Sequence, residues 1–154
     1  MKKKILITRR LLKENEDKLS KLFDVNLNDN DEIYSSDKII ELSKNCDGIL
    51  CAVTDQFNKE LINRLSPSIK IIANFAVGYG NIDINAAKER NIVVTNTPEV
   101  LDDSTADVSI LLLLGASRKV LEARRAAELQ NWKWSADFML GKQMSNKRLG
   151  ILGM

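Results

Sequence analysis

No histidine occurs anywhere in the 154 residues. Histidine has the ordinary pKa nearest neutrality and is the commonest general acid or base. Proton transfer by this chain alone therefore falls to a perturbed carboxylate, lysine, cysteine or tyrosine. Cysteine is nearly as scarce, with Cys46 and Cys51 the only two. Five residues apart and without histidine, they make no zinc pattern, and they read as buried thiols in a reducing, cytoplasmic setting. Aromatic residues make up 5% of the chain and the basic residues are scattered, which argues against a nucleic-acid face. Long apolar runs are missing too. Leu111 to Leu114 is the longest strongly apolar stretch, far too short to span a bilayer. The basic start Met1-Lys2-Lys3-Lys4 leads into a strand-like run and not into the apolar region of a signal peptide.

What is present fits one soluble domain. Hydrophobic residues are 44%, charged residues 29%, and the net charge is +2 with both signs interspersed. Lys4 to Thr8, Phe23 to Leu27, Gly48 to Val53, Lys70 to Ala73 and Ile92 to Thr95 read as strands. Helical spacing recurs between them, at Leu11 to Phe23, Ile39 to Ser43, Leu61 to Leu65 and Ala86 to Glu89. Ser35 or Ser36, Asn58 and Asp83 are suited to capping, Pro67 prevents continuation of the third helix, and Asn91 suits a left-handed exit from the fourth. Strands alternating with helices predict an α/β fold, with a parallel sheet covered by helices on both faces.

The pattern changes after residue 100. Asp102, Asp103 and Ser104 offer caps and negative charge for a helix start. From Thr105 to about Leu129 only Gly115 interrupts a helical run, which predicts one helix roughly 37 Å long at 1.5 Å per residue. Its first half is apolar on nearly every face, so another domain or another subunit is expected to cover it. Residues 131–145 bring two Trp, one Phe and two Met with little periodicity, an arm of the kind that meets a partner.

Three places carry candidate chemistry. The stretch Asn74-Phe-Ala-Val-Gly-Tyr-Gly-Asn-Ile-Asp83 joins a buried strand to a helix. Its glycines permit unusual φ values and close approach of a ligand, and consecutive N–H groups there either cradle an anion or form a plain βα turn. Thr105 follows Pro98 and the Asp102–Asp103 pair, and its hydroxyl either reaches a ligand or bonds a neighbouring backbone group. Leu149 to Leu152 ends on Gly153-Met154, either as an edge strand or as the opening of a dinucleotide-binding turn that supplies only its first glycine. The Asp102, Asp103 and Asp107 carboxylates, the Arg124–Arg125 pair, and Lys59, Glu60 and Arg64 read as helix-terminus or surface charges.

Together, residues 73–83 (ANFAVGYGNID), 95–107 (TNTPEVLDDSTAD), 131–141 (NWKWSADFMLG) and 149–154 (LGILGM) resemble the D-isomer-specific 2-hydroxyacid dehydrogenases, and most of all their glyoxylate/hydroxypyruvate reductase branch. The resemblance runs the whole chain in order. It implies a flavodoxin-like substrate domain over 1–100, a long interdomain helix over 101–129, a dimerisation arm over 130–146, and at 147–154 the first strand of a Rossmann domain for NAD or NADP. It implies oxidoreductase chemistry between small 2-keto acids and D-2-hydroxy acids, and a homodimer through 105–140, with no nucleic-acid or membrane partner. Val77 and Gly78 fall on the turn that holds the substrate carboxylate, and Thr105 and Gly153 on cofactor positions. Gly80 stands where the family usually has Asp. The family's catalytic Arg, Glu and His correspond to positions after 154, so the resemblance puts no catalytic residue in this chain. An inactive fragment is the resulting expectation, with a dimerising or binding module, or a truncated gene product, as alternatives.

Overall fold

The structure, a computed structural model, describes residues 1–130 and 132–152. They divide into two units, Met1–Val100 and Leu101–Met154. In the first, short apolar runs form β1 (Lys4–Ile7), β2 (Asp24–Asn26), β3 (Gly48–Ala52), β4 (Ile71–Phe75) and β5 (Val93–Thr95). Between them lie α1 (Lys13–Leu22), α2 (Ser36–Ser43), α3 (Lys59–Arg64) and α4 (Ile84–Glu89). The sheet order is β2-β1-β3-β4-β5 and every pairing is parallel, so each strand needs a crossover to reach the next. This is the α/β architecture read from the sequence.

Side chains alternate across the sheet. In β4, Ile72 and Asn74 are buried while Ile71 and Phe75 are exposed. On the buried side, Leu6, Ile49 and Ile72 join one cluster with Ile39 of α2, Leu61 and Ile62 of α3, and Ala86 and Ala87 of α4. On the other side, Leu19 of α1 lines a groove with Leu50 and Phe75.

The helix ends follow local chemistry. Ser35 Oγ accepts from the Lys38 N–H, Asn58 Oδ1 from Leu61, and Asp83 Oδ1 from Ala86. Asn91 takes φ 54° just after α4. The Arg90 guanidinium donates to the carbonyls of Ile62, Asn63 and Leu65, satisfying the end of α3 that Pro67 leaves without a next turn.

In the second unit, the single helix expected up to residue 129 is two: α5 (Asp102–Ser117) and α6 (Val120–Leu129), with Lys119 between them at φ 55°. The breaker is tertiary. The Ser117 carbonyl accepts from the Lys142 N–H at 2.7 Å, so it is diverted from continuing the helix. A Cβ on Gly141 would stand 2.7 Å from Ser117 O and 3.0 Å from Arg118 Cα, so the arm reaches this close only as glycine. At the start of α5 the cap position is Leu101, without a side-chain bond. Asp102 and Asp103 lie inside the first turn as charges, one or two residues too late to cap.

Neither helix buries a residue, and Leu111 and Leu112 are 68% and 65% exposed. In the arm, Trp132 stacks on Phe138 with ring centroids 5.8 Å apart. Residues 149–152 form no strand and take no part in the sheet. Gly153 lies outside the described residues. Among the described residues no helix is long and apolar enough to cross a membrane, and no group of His, Cys, Asp and Glu is placed to hold a metal ion.

Candidate anion-binding site

Strands β4 and β5 run parallel, so the loops after Phe75 and Thr95 leave the same carboxyl edge of the sheet, where open α/β sheets bind ligands. Two hydrogen bonds join them into one surface and a third, from Asn74 of β4, braces the first loop. The Thr97 N–H donates to the Ala76 carbonyl at 2.9 Å. Asn96 Nδ2 donates to the Val77 carbonyl at 2.7 Å, and Asn74 Nδ2 to the Gly78 carbonyl at 2.9 Å. Among the described residues no peptide bond is cis. In a planar trans peptide the C=O and the following N–H point in opposite directions. Pinning the carbonyls of Ala76, Val77 and Gly78 therefore aims the N–H groups of Val77, Gly78 and Tyr79 the other way. None of those three N–H groups has an acceptor among the described residues. Val77, Gly78 and Tyr79 are all exposed. Successive unpaired N–H groups on a fixed loop suit a carboxylate or another small anion.

Beneath the loop lies a buried amide network. Asn74 and Asn81 face each other, Asn74 Nδ2 donating to Asn81 Oδ1 at 3.0 Å. Asn81 Nδ2 donates to the carbonyls of Ala52 at 3.2 Å and Asp55 at 2.9 Å, tying the loop after β4 to the loop after β3. Asp55 is buried, and its Oδ2 accepts from the Thr8 hydroxyl at 2.6 Å and the Ala52 N–H at 2.9 Å. Its Oδ1 is buried without a partner among the described residues. Cys51, under the same network, has its thiol pushed up to about 12 by burial, with the Asp55 charge adding to the effect. A thiol held that far up is no nucleophile at neutral pH. A groove of about 390 Å³ flanks the loop, with Tyr79, Asn96 and Lys88 among its lining residues.

The two glycines play a different part from the one expected. Neither Gly78 nor Gly80 has φ in the left-handed region, and a Cβ on either meets nothing within 4 Å. The turn itself does not need glycine, so what glycine leaves at Gly78 is open approach to the N–H groups. Gly78→Ala and Gly80→Ala should each melt within about 1 kcal/mol of the parent chain, by thermal denaturation followed by circular dichroism. A loss above 2 kcal/mol would show a strained turn instead.

Val77 and Gly78 thus stand where the sequence put them, at one strand end. The Thr105 hydroxyl donates to the Leu101 carbonyl at 2.8 Å, the backbone-bonding alternative. The described residues 147–152 form no strand-to-helix turn, and Gly153 lies outside the described residues. The sequence reading passed over the roles of Asn74, Asn81 and Asn96. A signal existed for Asn74, the one polar side chain in the run Ile71–Phe75 and buried to 2% exposure.

At the carboxyl end of β1, Arg9 makes a two-point pair with Asp31, at 2.7 and 2.9 Å, while the Arg10 N–H donates to the same carboxylate. The Arg9 hydrogen bond holds the Asp31 carboxyl far below the usual range. Because the folded value is depressed, this contribution to stability is complete above the unfolded carboxylate pKa of about 3.9 and is lost as pH falls below it toward the folded value. Arg9→Ala should move the Asp31 carboxyl upward toward the ordinary carboxylate range in a carbon-13 titration, with the Arg10 N–H still holding it somewhat down.

Residues 5–146 match the family described as D-isomer specific 2-hydroxyacid dehydrogenase, catalytic domain. The chain belongs to this family. It is 38% identical to a glyoxylate reductase of Korarchaeum cryptofilum over 156 aligned residues, covering 100% of this chain and 47% of that protein. Among solved structures, a D-isomer specific 2-hydroxyacid dehydrogenase of Polaromonas sp. superposes with TM-score 0.87 at 31% identity, over 97% of this chain and 47% of the other. An NADPH-dependent glyoxylate/hydroxypyruvate reductase of Sinorhizobium meliloti, solved with NADP and malonate, matches with TM-score 0.71 at 28% identity, over 86% of this chain and 40% of the other. The chain spans about half the length of the family members it matches. The five-stranded parallel sheet is the family's substrate-side architecture, and homologues named glyoxylate reductase support a 2-hydroxyacid dehydrogenase lineage.

Proposed function

We propose that this chain is the substrate-gripping part of an NAD(P)-dependent reductase of small 2-keto acids such as glyoxylate and hydroxypyruvate. The observation that carries this reading is the set of three aimed, unpaired N–H groups at Val77, Gly78 and Tyr79. Held by such donors, a 2-keto acid is fixed at its carboxylate and presents its keto carbon away from the sheet edge. Reduced nicotinamide supplies the hydride in this class of reaction. The chain's own part is to orient the acid, with the anion's charge met by backbone dipoles and not by a mobile cation.

By itself the chain is not expected to turn over. Reducing a ketone requires a proton at the oxygen, and the chain has no histidine. Beside the loop, Cys51 is held protonated and buried. The pure 154-residue protein should therefore oxidise neither NADH nor NADPH above background with glyoxylate or hydroxypyruvate. Turnover at about 1 s⁻¹ or faster, an ordinary enzyme rate, would contradict this reading.

A homodimer through residues 105–140 belongs to the same proposal. The exposed leucines of α5 and the Trp132–Phe138 stack supply an apolar surface of the kind subunits bury. Light scattering should give twice the 17.3 kDa chain mass, and a stable monomer would remove this part.

A further inference from the structure

The three N–H groups face outward only because three carbonyls are held inward, and the holders differ in kind. The Ala76 carbonyl is held by backbone, through the Thr97 N–H. The other two are held by side chains, Asn96 on Val77 and Asn74 on Gly78. A peptide between two exposed residues turns over readily unless something fixes it, since little else in the loop resists the rotation. Building on the carboxylate reading above, we propose that Asn96 is a positioning residue: its amide, by pinning the Val77 carbonyl, sets the Gly78 N–H toward the substrate carboxylate and so governs 2-keto acid affinity without touching the substrate.

Asn96 differs from Asn74 in being separable from folding. Asn74 is buried in the network that ties the β3 and β4 loops, so its loss would disturb the sheet edge as a whole. Asn96 is half-buried, lies just beyond β5, and gives its Nδ2 to a single loop carbonyl. Removing that amide deletes no member of the core cluster, to which Asn96 does not belong. The choice of replacement then separates two effects. Alanine frees the Val77 carbonyl to wander. Aspartate places an acceptor where the donor was, 2.7 Å from another acceptor, and drives the peptide to turn over so that its carbonyl faces the anion.

The test is a titration of the nitrogen-15-labelled 154-residue chain with pyruvate, read at the Val77, Gly78 and Tyr79 amides, with a thermal melt of each variant. In the parent chain these amides should shift and saturate together. Asn96→Ala should weaken the pyruvate Kd about tenfold, the worth of one hydrogen bond, with the melting temperature unchanged. Asn96→Asp should abolish the saturable shift at Gly78. Parent-like Kd in both variants would overturn the role of Asn96 while leaving the carboxylate site standing. A parent chain whose three amides never respond would overturn the carboxylate reading and this inference with it. A fall in melting temperature that accounts for the lost binding would assign Asn96 to folding and overturn the inference alone.

Discussion

Asn81→Leu should lower the stability of the first unit by about 3 kcal/mol or more, because it strands several buried polar groups at once. Leucine keeps the branched outline of asparagine and removes its polar atoms, so the groups around it lose their hydrogen-bond partners. The Asn81 amide meets the carbonyls of Ala52 and Asp55 and accepts from Asn74. Deleting it leaves the Asp55 carbonyl and one hydrogen of the Asn74 amide without partners, each costing about 1–3 kcal/mol when water cannot replace the bond, while the Ala52 carbonyl keeps only the Asp55 N–H. Part of that cost is offset as the loops open to admit water. For a domain of about 100 residues the expected fall in melting temperature is roughly 15 °C. A shift under about 5 °C would show that the network is ornamental to folding.

Phe57→Ala should cost about as much by a different route. Phe57 is the largest side chain with no exposure, and truncating a buried phenylalanine to alanine typically costs about 3–5 kcal/mol in lost contacts and residual cavity. Its backbone is also a fastener: the Phe57 N–H donates to Asn81 O at 2.8 Å, and its carbonyl accepts from the Asp83 N–H at 2.9 Å. These bonds form a parallel bridge between the approaches to α3 and α4. Because Phe57 and Asn81 share this junction, the double variant should lose less than the sum of the two single losses. Strict additivity in urea melts would mean that the loops after β3 and β4 open independently.

The sheet, its helices and three of their caps were legible because each rests on local signals. Continuous apolar runs mark β3 and β4, and Ser35, Asn58 and Asp83 stand one residue ahead of helices. The glycine-containing turn stood out in the sequence as either an anion cradle or a plain βα turn, since it follows a buried strand. What sets its direction was not legible. Asn96 and Val77 are 19 residues apart, and nothing in either segment alone announces that a side chain of one holds a carbonyl of the other. The break at Arg118–Lys119 failed for the same reason: the Ser117 carbonyl is taken by Lys142, 25 positions on, so a reading of local breakers sees an unbroken helix. The expected strand at 149–152 failed through pairing, since an apolar run becomes a strand only beside another strand. The apolar surface of α5 was foreseen from its sequence, and its exposure follows from having apolar residues on every side.

The central claim is that the backbone at Val77–Tyr79 grips a carboxylate. A crystal structure of the chain grown with pyruvate tests it most directly. The account predicts a carboxylate oxygen within about 3 Å of the Gly78 nitrogen, with the Val77 carbonyl still on Asn96. Pyruvate bound elsewhere, with these N–H groups turned inward to protein acceptors, would contradict it.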